Sequence, residues 1–354
     1  VTAPVSPRGQ KFFIKTPYAT SVASPTTIAP SPIRRQTALN EEPAIPLIYG
    51  FVYATDLELG LLCVFGGTLL DGNPLNNFID HELNTIFNPD GLLDGAMKVT
   101  IVGQYAYVCC DKGLVVIDVS HPPKPKVVSV IEQGINMPRS VEVQFQYGFL
   151  CDKDGVKILD TTDISKPKLI TTVPLADAKN IYVARTYAYV SAGHQGLVIL
   201  DVKNPTKPVI DQVYNAGGKI SDLHDVQLGI TNVSAFAYLA DGHNGFHVVQ
   251  LTNANRPDNN GFSPRPLPEL IASYALPHHG SALSISKGID RDRAVDESGN
   301  QIAVFGRIGA RPLNRLEENI YLRNGLPWRV SNDPFDSDIF IIEPDANIPP
   351  VLQR

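Results

Sequence analysis

The sequence has few of the residues on which several classes of protein depend. Among 354 residues it contains one tryptophan, two methionines and four cysteines, with no C-x-x-C pair, so no haem-attachment motif is present in this chain. Its longest nearly apolar stretch, residues 59–70, is interrupted by glycines and is too short to span a membrane. A formal charge of −6 argues against a nucleic-acid binder, because there is no broad basic surface to displace counterions from phosphates.

Signatures of common catalytic sites are also missing. The sequence has no G-x-S-x-G, no phosphate-binding loop and no G-x-G-x-x-G motif. The DHELN stretch at 80–84 lacks the second histidine of an H-E-x-x-H zinc site. Whether the protein is an enzyme therefore stays open, and we expect it not to be catalytic by itself, although it could serve as a subunit of an enzyme complex.

Turn-forming residues are plentiful, and they punctuate a repeated phrase. The chain has 29 prolines and 27 glycines. Residues 113–125 read GLVVIDVSHPPKP, residues 155–167 read GVKILDTTDISKP, and residues 196–208 read GLVILDVKNPTKP. Each phrase is an apolar β-branched run, then an aspartate that can accept hydrogen bonds from the next turn, then a proline loop that ends the strand.

The repeat unit has the composition of four antiparallel strands. An aromatic-rich strand such as YAYVCCD (105–111) precedes each phrase, and a strand-like run such as AMKVTIV (96–102) precedes that. A further run such as PKVVSVI (125–131) follows the proline loop. The central run is apolar on both faces, as expected when a sheet is covered on both sides by neighbouring sheets. These features predict an all-β fold, a single β-propeller of four-stranded antiparallel blades.

The phrases GLVVIDV, GVKILDT and GLVILDV resemble the LVIVD-repeat family of β-propellers. The resemblance covers residues 96–251 well and the flanks loosely. Counting apolar runs favours seven blades, with six as the alternative if IAVFG (302–306) is a second strand of the final blade. The runs counted are 61–65, 114–119, 156–160, 197–202, 246–251, 302–306 and 339–343.

Three segments depart from the repeat. Residues 1–45, rich in proline, serine and threonine, are predicted to be an extended arm, and residues 46–354 the propeller. Residues 252–270 and 288–338 are predicted insertions. Because insertions in repeat proteins emerge as loops that often bind other molecules, they are the preferred partner-contact regions. The predicted contact residues of the first insertion are Asn253, Asn255, Arg256, Asp258, Asn259, Phe262 and Arg265.

Several polar residues are candidates for binding sites. The acidic set Asp290, Asp292, Asp296 and Glu297 could bind calcium or magnesium, although its spacing does not fit an EF-hand and a solvated loop is the alternative. His194 and His243 lie in equivalent G-H-x-G turns, where two histidines could bind a metal or meet a cofactor edge. The alternative for both is an ordinary glycine-rich hairpin. Further candidates for the channel or its rim are Glu142, Asn180 and Asp225.

Two functions are consistent with these features. The LVIVD resemblance implies a non-catalytic scaffold subunit of a periplasmic or cell-surface redox complex. Its partner would be a multihaem c-type cytochrome, as for the haem-free propeller subunit of hydrazine synthase. Any haem would then belong to the partner. The alternative is a propeller hydrolase with a divalent ion in the central channel, held by Glu142, Asn180 and Asp225 on successive blades.

Overall fold

A computed structural model describes residues 14–25, 46–67, 79, 81–230, 234–253, 255–256, 261, 263–277, 280–286, 322–323 and 326–327. The first blade contains Ala19–Ala23 (β1), Phe51–Asp56 (β2), Gly60–Phe65 (β3) and Thr85–Phe87 (β4). The second contains Lys98–Val102 (β5), Tyr105–Cys110 (β6), Gly113–Asp118 (β7) and Lys126–Ile131 (β8). The third contains Ser140–Gln144 (β9), Tyr147–Asp152 (β10), Gly155–Asp160 (β11) and Lys168–Pro174 (β12).

The fourth blade contains Asn180–Ala184 (β13), Tyr187–Ser191 (β14), Leu197–Asp201 (β15) and Val209–Tyr214 (β16). The fifth contains Asp225–Ile230 (β17), Ala235–Ala240 (β18), Phe246–Gln250 (β19) and Glu269–Tyr274 (β20). A two-stranded pair, Leu322–Arg323 (β21) and Leu326–Pro327 (β22), follows. Short 3-10 turns lie at Leu47–Gly50, His81–Leu83, Pro89–Gly91 and Ala216–Gly218.

The predicted all-β propeller of four-stranded antiparallel blades is confirmed, but the predicted number of blades is wrong. The described residues form five four-stranded sheets, not seven or six. The runs 302–306 and 339–343, on which the higher counts depended, lie outside the described residues. The two runs were counted on their apolar composition alone, because neither is directly preceded by the aromatic strand and hairpin glycine that open the phrase in the five sheets.

The first blade recruits its innermost strand from the segment predicted to be an arm. Strand β1 pairs antiparallel with β2, with Val22 opposite Ala54. It also contacts the second blade, because the Thr20 hydroxyl donates to the Ala96 carbonyl at 2.7 Å and the Val99 N–H donates to Ser21 Oγ at 3.0 Å. The propeller therefore begins before residue 46.

The apolar third strands are buried on both faces, as their composition predicts. In β7, Val115 and Ile117 pack in a cluster with the first blade, while Leu114 and Val116 pack in a cluster with the third. All four side chains are fully buried. Alternate residues of a strand point to opposite faces, so β-branched apolar residues at every position fill both interfaces of a blade.

The glycine that opens each phrase occupies a crowded hairpin. Gly113 has φ +120°, and a Cβ there would lie 2.2 Å from the Ile131 carbonyl oxygen. Gly155 has φ +139°, and its Cβ would lie 2.1 Å from the Val173 carbonyl oxygen. Only glycine combines such a φ with so close an approach of the outer strand.

The proline loops connect neighbouring blades. The Thr85 hydroxyl of the first blade donates to the Pro123 carbonyl of the second at 3.0 Å. The Ser129 hydroxyl of the second donates to the Ile164 carbonyl of the third at 2.7 Å. In the second, third and fourth blades the aspartate that ends the third strand accepts from the backbone N–H two residues later, as Asp118 does from the Ser120 N–H at 2.8 Å. The repeated phrase thus shapes both the blade and its contact with the next.

Candidate functional site at the entry rim of the inner strands

Charged residues gather where the innermost strands of the third, fourth and fifth blades begin. Arg139, Lys179 and His224 each precede such a strand by one residue. Their N–H groups make equivalent hydrogen bonds, to the carbonyls of Cys151, Ser191 and Ala240, each at 2.8 Å. We call these three residues, together with Asp177 and Asp222, the entry rim.

The entry-rim residues form a chain of ion pairs from blade to blade. Arg139 Nη1 lies 2.8 Å from Asp177 Oδ1. Lys179 Nζ lies 3.6 Å from Asp177 Oδ2 and 3.5 Å from Asp222 Oδ1. His224 Nε2 lies 3.0 Å from Asp222 Oδ1. Arg139 and Lys179 therefore each meet the aspartate that enters the next blade, while His224 meets the aspartate of its own blade.

Local backbone geometry makes room for the two rim aspartates. Asp177 has φ +58°, a left-handed conformation that aspartate tolerates better than most residues. Its carboxylate lies against Gly193, where a Cβ would be 2.1 Å from Asp177 Oδ2. Gly242 leaves the same space for Asp222, because a Cβ on residue 242 would lie 1.9 Å from Asp222 Oδ2. The glycines of the SAGHQG and ADGHNG turns thus serve the neighbouring aspartates as well as their own hairpins.

The rim environment favours the charged form of Asp222. Partial burial acts to raise the pKa of its carboxyl, but His224 and Lys179 outweigh that effect through charge and hydrogen bonding, so the pKa is lowered. All five rim side chains keep 20–42% of their area exposed, so the network faces solvent and can meet another molecule.

Two of the predicted channel residues are brought together just beneath the rim. Asn180, which begins β13, donates its side-chain amide to Asp225 Oδ1, and both residues are buried. Asp225 also accepts from the Val226 N–H at 2.7 Å and from the Ile285 N–H at 2.8 Å. Glu142 lies on the innermost strand of the third blade, half-buried. The Asp225 carboxylate therefore joins three segments of its own chain.

The predicted histidine pair lies in exposed, equivalent hairpins. His194 and His243 both face solvent, and His243 Nδ1 lies 2.9 Å from Ser281 Oγ. Asp290, Asp292, Asp296 and Glu297 lie outside the described residues. Within the part of the chain that is described, no group of three or more His, Cys, Asp or Glu residues is arranged to hold a metal ion.

The exit loop of the fifth blade contacts the fourth blade. Arg265 Nη2 lies 3.1 Å from Asp211 Oδ1 on β16, and the Gln212 side chain donates to the Pro266 carbonyl at 2.6 Å. Arg256 donates to the Leu267 carbonyl at 3.1 Å. The Asn253 carboxamide oxygen accepts from the Asn255 N–H at 3.0 Å. Asp258, Asn259 and Phe262 lie outside the described residues.

All four cysteines are buried free thiols. Burial raises the pKa of Cys63 to about 12 and that of Cys151 to about 12. Burial likewise raises the pKa of Cys109 and Cys110. Thiols held protonated in this way are poor nucleophiles and serve here as small core residues.

Comparison with known families identifies the repeat. The family model described as "LVIVD repeat" matches residues 95–131 and 176–216. The chain carries LVIVD repeats. The two matches coincide with the second and fourth blades, each from just before its innermost strand to the end of its outermost strand. No curated protein has a significant match to the sequence.

Solved structures with a similar arrangement are distant in sequence. The β-propeller domain of Cps50 (Swd1) from Myceliophteria thermophila is 8% identical, with a TM-score of 0.47 and 74% of each chain covered. The computationally designed Ika8 protein is 10% identical, with a TM-score of 0.40, 66% of this chain covered and 60% of that one. The N-terminal domain of Nup159 is 9% identical, with a TM-score of 0.38 and coverage of 58% and 56%.

Sequence reasoning singled out Asn180 and Asp225, which the structure brings into contact, but it missed most of the entry rim. It named Asp225, the residue after His224, but it did not single out Arg139, Asp177, Lys179 or Asp222. A signal was present, because DAK (177–179) and DLH (222–224) both place an aspartate two residues before a basic residue at the start of an inner strand. Comparing the blade entries with one another would have shown the repeated D-x-K and D-x-H pattern.

Proposed function

We propose that the protein is an interaction scaffold that binds a partner protein through the outside of its blades. The observation that carries this proposal is a belt of exposed apolar side chains on the outermost strands of all five blades. Large apolar residues that recur on an exposed surface are typical of protein-binding sites. The belt consists of Ile86, Val127, Val130, Leu169, Ile170, Val209, Ile210, Val213, Ile271 and Tyr274, each at least 37% exposed.

The form of the outer strands favours side-chain docking over strand addition. In each of blades two to five the pairing of the third and outermost strands is interrupted by a register shift, as between Ile199 and Leu200 of β15. Such bulges twist an edge strand and disturb the regular row of backbone groups that another strand would need. A partner would therefore pack against the side chains of the belt.

The partner that we propose is a multihaem c-type cytochrome in the periplasm or at the cell surface. This part of the proposal is supported by the association of LVIVD propellers with extracytoplasmic redox systems that the family resemblance implies. In the part of the chain that is described, no helix is long and apolar enough to cross a membrane.

Native mass spectrometry of the complex from its source, with a visible spectrum of the same fraction, tests both parts. We expect a stoichiometric assembly with a haem Soret band. The variant I210S/V213S replaces two apolar belt residues of β16, which are paired with Leu200 and Val198 of β15. It should reduce the assembled fraction at least tenfold, while M97S, which alters an exposed residue outside the belt, should not. An isolated chain of 38.5 kDa would refute the scaffold, and a colourless assembly would refute the cytochrome.

A further inference from the structure

Three positions of the fifth blade replace apolar residues of the fourth with polar ones. Ala192 of the fourth blade corresponds to Asp241 of the fifth. The Ala192 N–H donates to the Gly196 carbonyl, and the Asp241 N–H donates in the same way to the Gly245 carbonyl. The second residue after the hairpin glycine is Val198 in the fourth blade and His247 in the fifth. On the outermost strand, Val198 is paired with Val213 and His247 with Ser273. The fourth blade therefore has alanine, valine and valine where the fifth has aspartate, histidine and serine.

The three polar side chains are joined in a line that runs from the surface to the core. Ser273 Oγ lies 2.8 Å from His247 Nδ1. His247 Nε2 lies 3.2 Å from Asp241 Oδ2. Ser273 is exposed on β20, whereas the side chains of His247 and Asp241 are 4% and 0% exposed. A reachable hydroxyl is thus backed by a buried imidazole and a buried carboxylate.

The surroundings of Asp241 determine which nitrogen of His247 carries the proton. The carboxylate accepts from the Ser221 N–H at 3.1 Å, the Asp222 N–H at 2.7 Å and the Asn244 side-chain amide at 2.9 Å. A carboxylate held by three N–H donors is an acceptor, so His247 Nε2 donates to it. In the neutral ring, Nδ1 is then free to accept the proton of the Ser273 hydroxyl.

We propose that Ser273, His247 and Asp241 form a hydrolytic site for small carboxylic esters at the outer edge of the fifth blade. This proposal does not rest on the partner-binding function proposed above, and Ser273 shares β20 with the belt residues Ile271 and Tyr274. Ser273 is the nucleophile, His247 is the general base and acid, and Asp241 is a positioning residue that fixes the ring and its tautomer. Hydrogen-bond reach between nucleophile and base, and between base and acid, is the geometry that this chemistry requires.

The reaction proceeds in two balanced halves. Ser273 Oγ bonds to the carbonyl carbon of the ester as its proton passes to His247 Nδ1, and the carbonyl π electrons move to oxygen. When the C=O bond re-forms, the ester C–O bond breaks and the departing alkoxide takes the proton from His247 Nδ1. Water then attacks the acyl-serine by the same route, giving the carboxylic acid and restoring the Ser273 hydroxyl.

The position of Ser273 at an open edge limits the substrate. β20 is the outermost strand of its sheet, and an edge strand presents alternate backbone N–H groups outward, where they can stabilise an oxyanion. Because Ser273 lies on an exposed strand, we expect low selectivity for the alcohol and a preference for short acyl chains.

Labelling with a fluorophosphonate and hydrolysis of p-nitrophenyl acetate test the site in the full chain. A fluorophosphonate forms a P–O bond to an activated serine with loss of fluoride, so peptide mass mapping reports directly on Ser273. The control is T172A, because Thr172 is the partner of Lys157 at the equivalent position of the third blade. We expect labelling of Ser273 in the wild type and T172A, none in S273A, and at least about 100-fold slower labelling in H247Q.

The S273A variant keeps the test decisive even if H247Q, a substitution at a buried residue, perturbs the fold. S273A changes an exposed side chain, and its thermal midpoint should match that of the wild type. The proposal is overturned if folded wild-type protein is not labelled at Ser273, or if S273A hydrolyses p-nitrophenyl acetate as fast as the wild type. Labelling equally fast in H247Q, with an unchanged thermal midpoint, would also overturn it.

Discussion

The buried pair formed by Lys157 and Asp152 provides a sharp test of how the third blade is stabilised. Lys157 is the only lysine or arginine at this position of the phrase in the five blades; the second and fourth blades have Val115 and Val198, both fully buried. Its Nζ lies 3.5 Å from Asp152 Oδ2, and the two side chains are 7% and 0% exposed. Replacing the lysine and replacing the aspartate of such a buried pair are expected to change the free energy of unfolding by different amounts.

The two residues differ in their other partners. Lys157 Nζ also lies 3.3 Å from Asp154 Oδ2, but that carboxylate is half-exposed, whereas the other partners of Asp152 are backbone N–H groups. Asp152 accepts from the N–H groups of Asn136, Asp154 and Gly155 at 2.8–3.1 Å, so it stays satisfied without the lysine. We expect K157M to change the free energy of unfolding by less than about 1 kcal/mol, because a well-packed apolar residue can replace a buried ion. We expect D152A to cost about 3–5 kcal/mol, because it leaves three N–H groups without their acceptor and removes the buried carboxylate of the Lys157 ammonium, which keeps only the half-exposed Asp154.

Urea unfolding of K157M, D152A and the double variant measures these terms. The double variant should be more stable than D152A alone, because it no longer buries an ammonium that has lost its buried carboxylate partner. Equal m-values across the series would show that the variants unfold from comparable states. The reasoning is refuted if K157M destabilises the protein by more than about 3 kcal/mol, the range expected for loss of a net-stabilising pair.

Two further predictions concern a turn and a titration. Phe145 is 89% exposed, has φ +54° and occupies the turn position that is Gly103 in the second blade. F145G should therefore raise the free energy of unfolding, measured with urea, by about 0.5–1 kcal/mol, because glycine adopts this φ without strain. A loss of stability in F145G would contradict this reasoning. Burial acts to raise the pKa of Asp56, but hydrogen bonds from Thr16, Leu59, Glu58 and Tyr18 outweigh it and lower the pKa. A lowered folded-state pKa gives stability that is present above the unfolded value of about 3.9 and lost as pH falls through the folded value. Urea midpoints from pH 5.5 to pH 3 should therefore fall less in D56N than in the wild type, and equal slopes would contradict this.

The parts of the fold that local chemistry determines were predictable. The GLVVID run, its hairpin glycine and its proline loop each specify a local structure, so four-stranded blades followed from the sequence. The origin of β1 did not, because ATSVA (19–23) is short and lies in a proline- and serine-rich segment. Its place is fixed by distant contacts with Asp56, Ala96 and Val99, which no local pattern encodes.

The polar sites were less predictable because they depend on correspondence between blades. Asn180 and Asp225 were recognised as channel candidates, but their contact requires the packing of β13 against β17. The line of Ser273, His247 and Asp241 joins the residue after β18 with residues of β19 and β20, and these residues belong to no known motif. Each residue is ordinary in its own phrase and unusual only beside its counterpart in the fourth blade.

The first blade is built from two parts of the chain that are distant in sequence, β1 and the three strands β2 to β4. Residues 24–50 separate β1 from the strand beside which it lies, so the innermost strand is synthesised well before its partner exists. A chain beginning at residue 46 would retain β2, β3 and β4 but present a vacant edge, which a free peptide of residues 14–25 could complement. Since β1 also donates to Ala96, that peptide would fasten two blades at once, and its loss would loosen the second as well as the first.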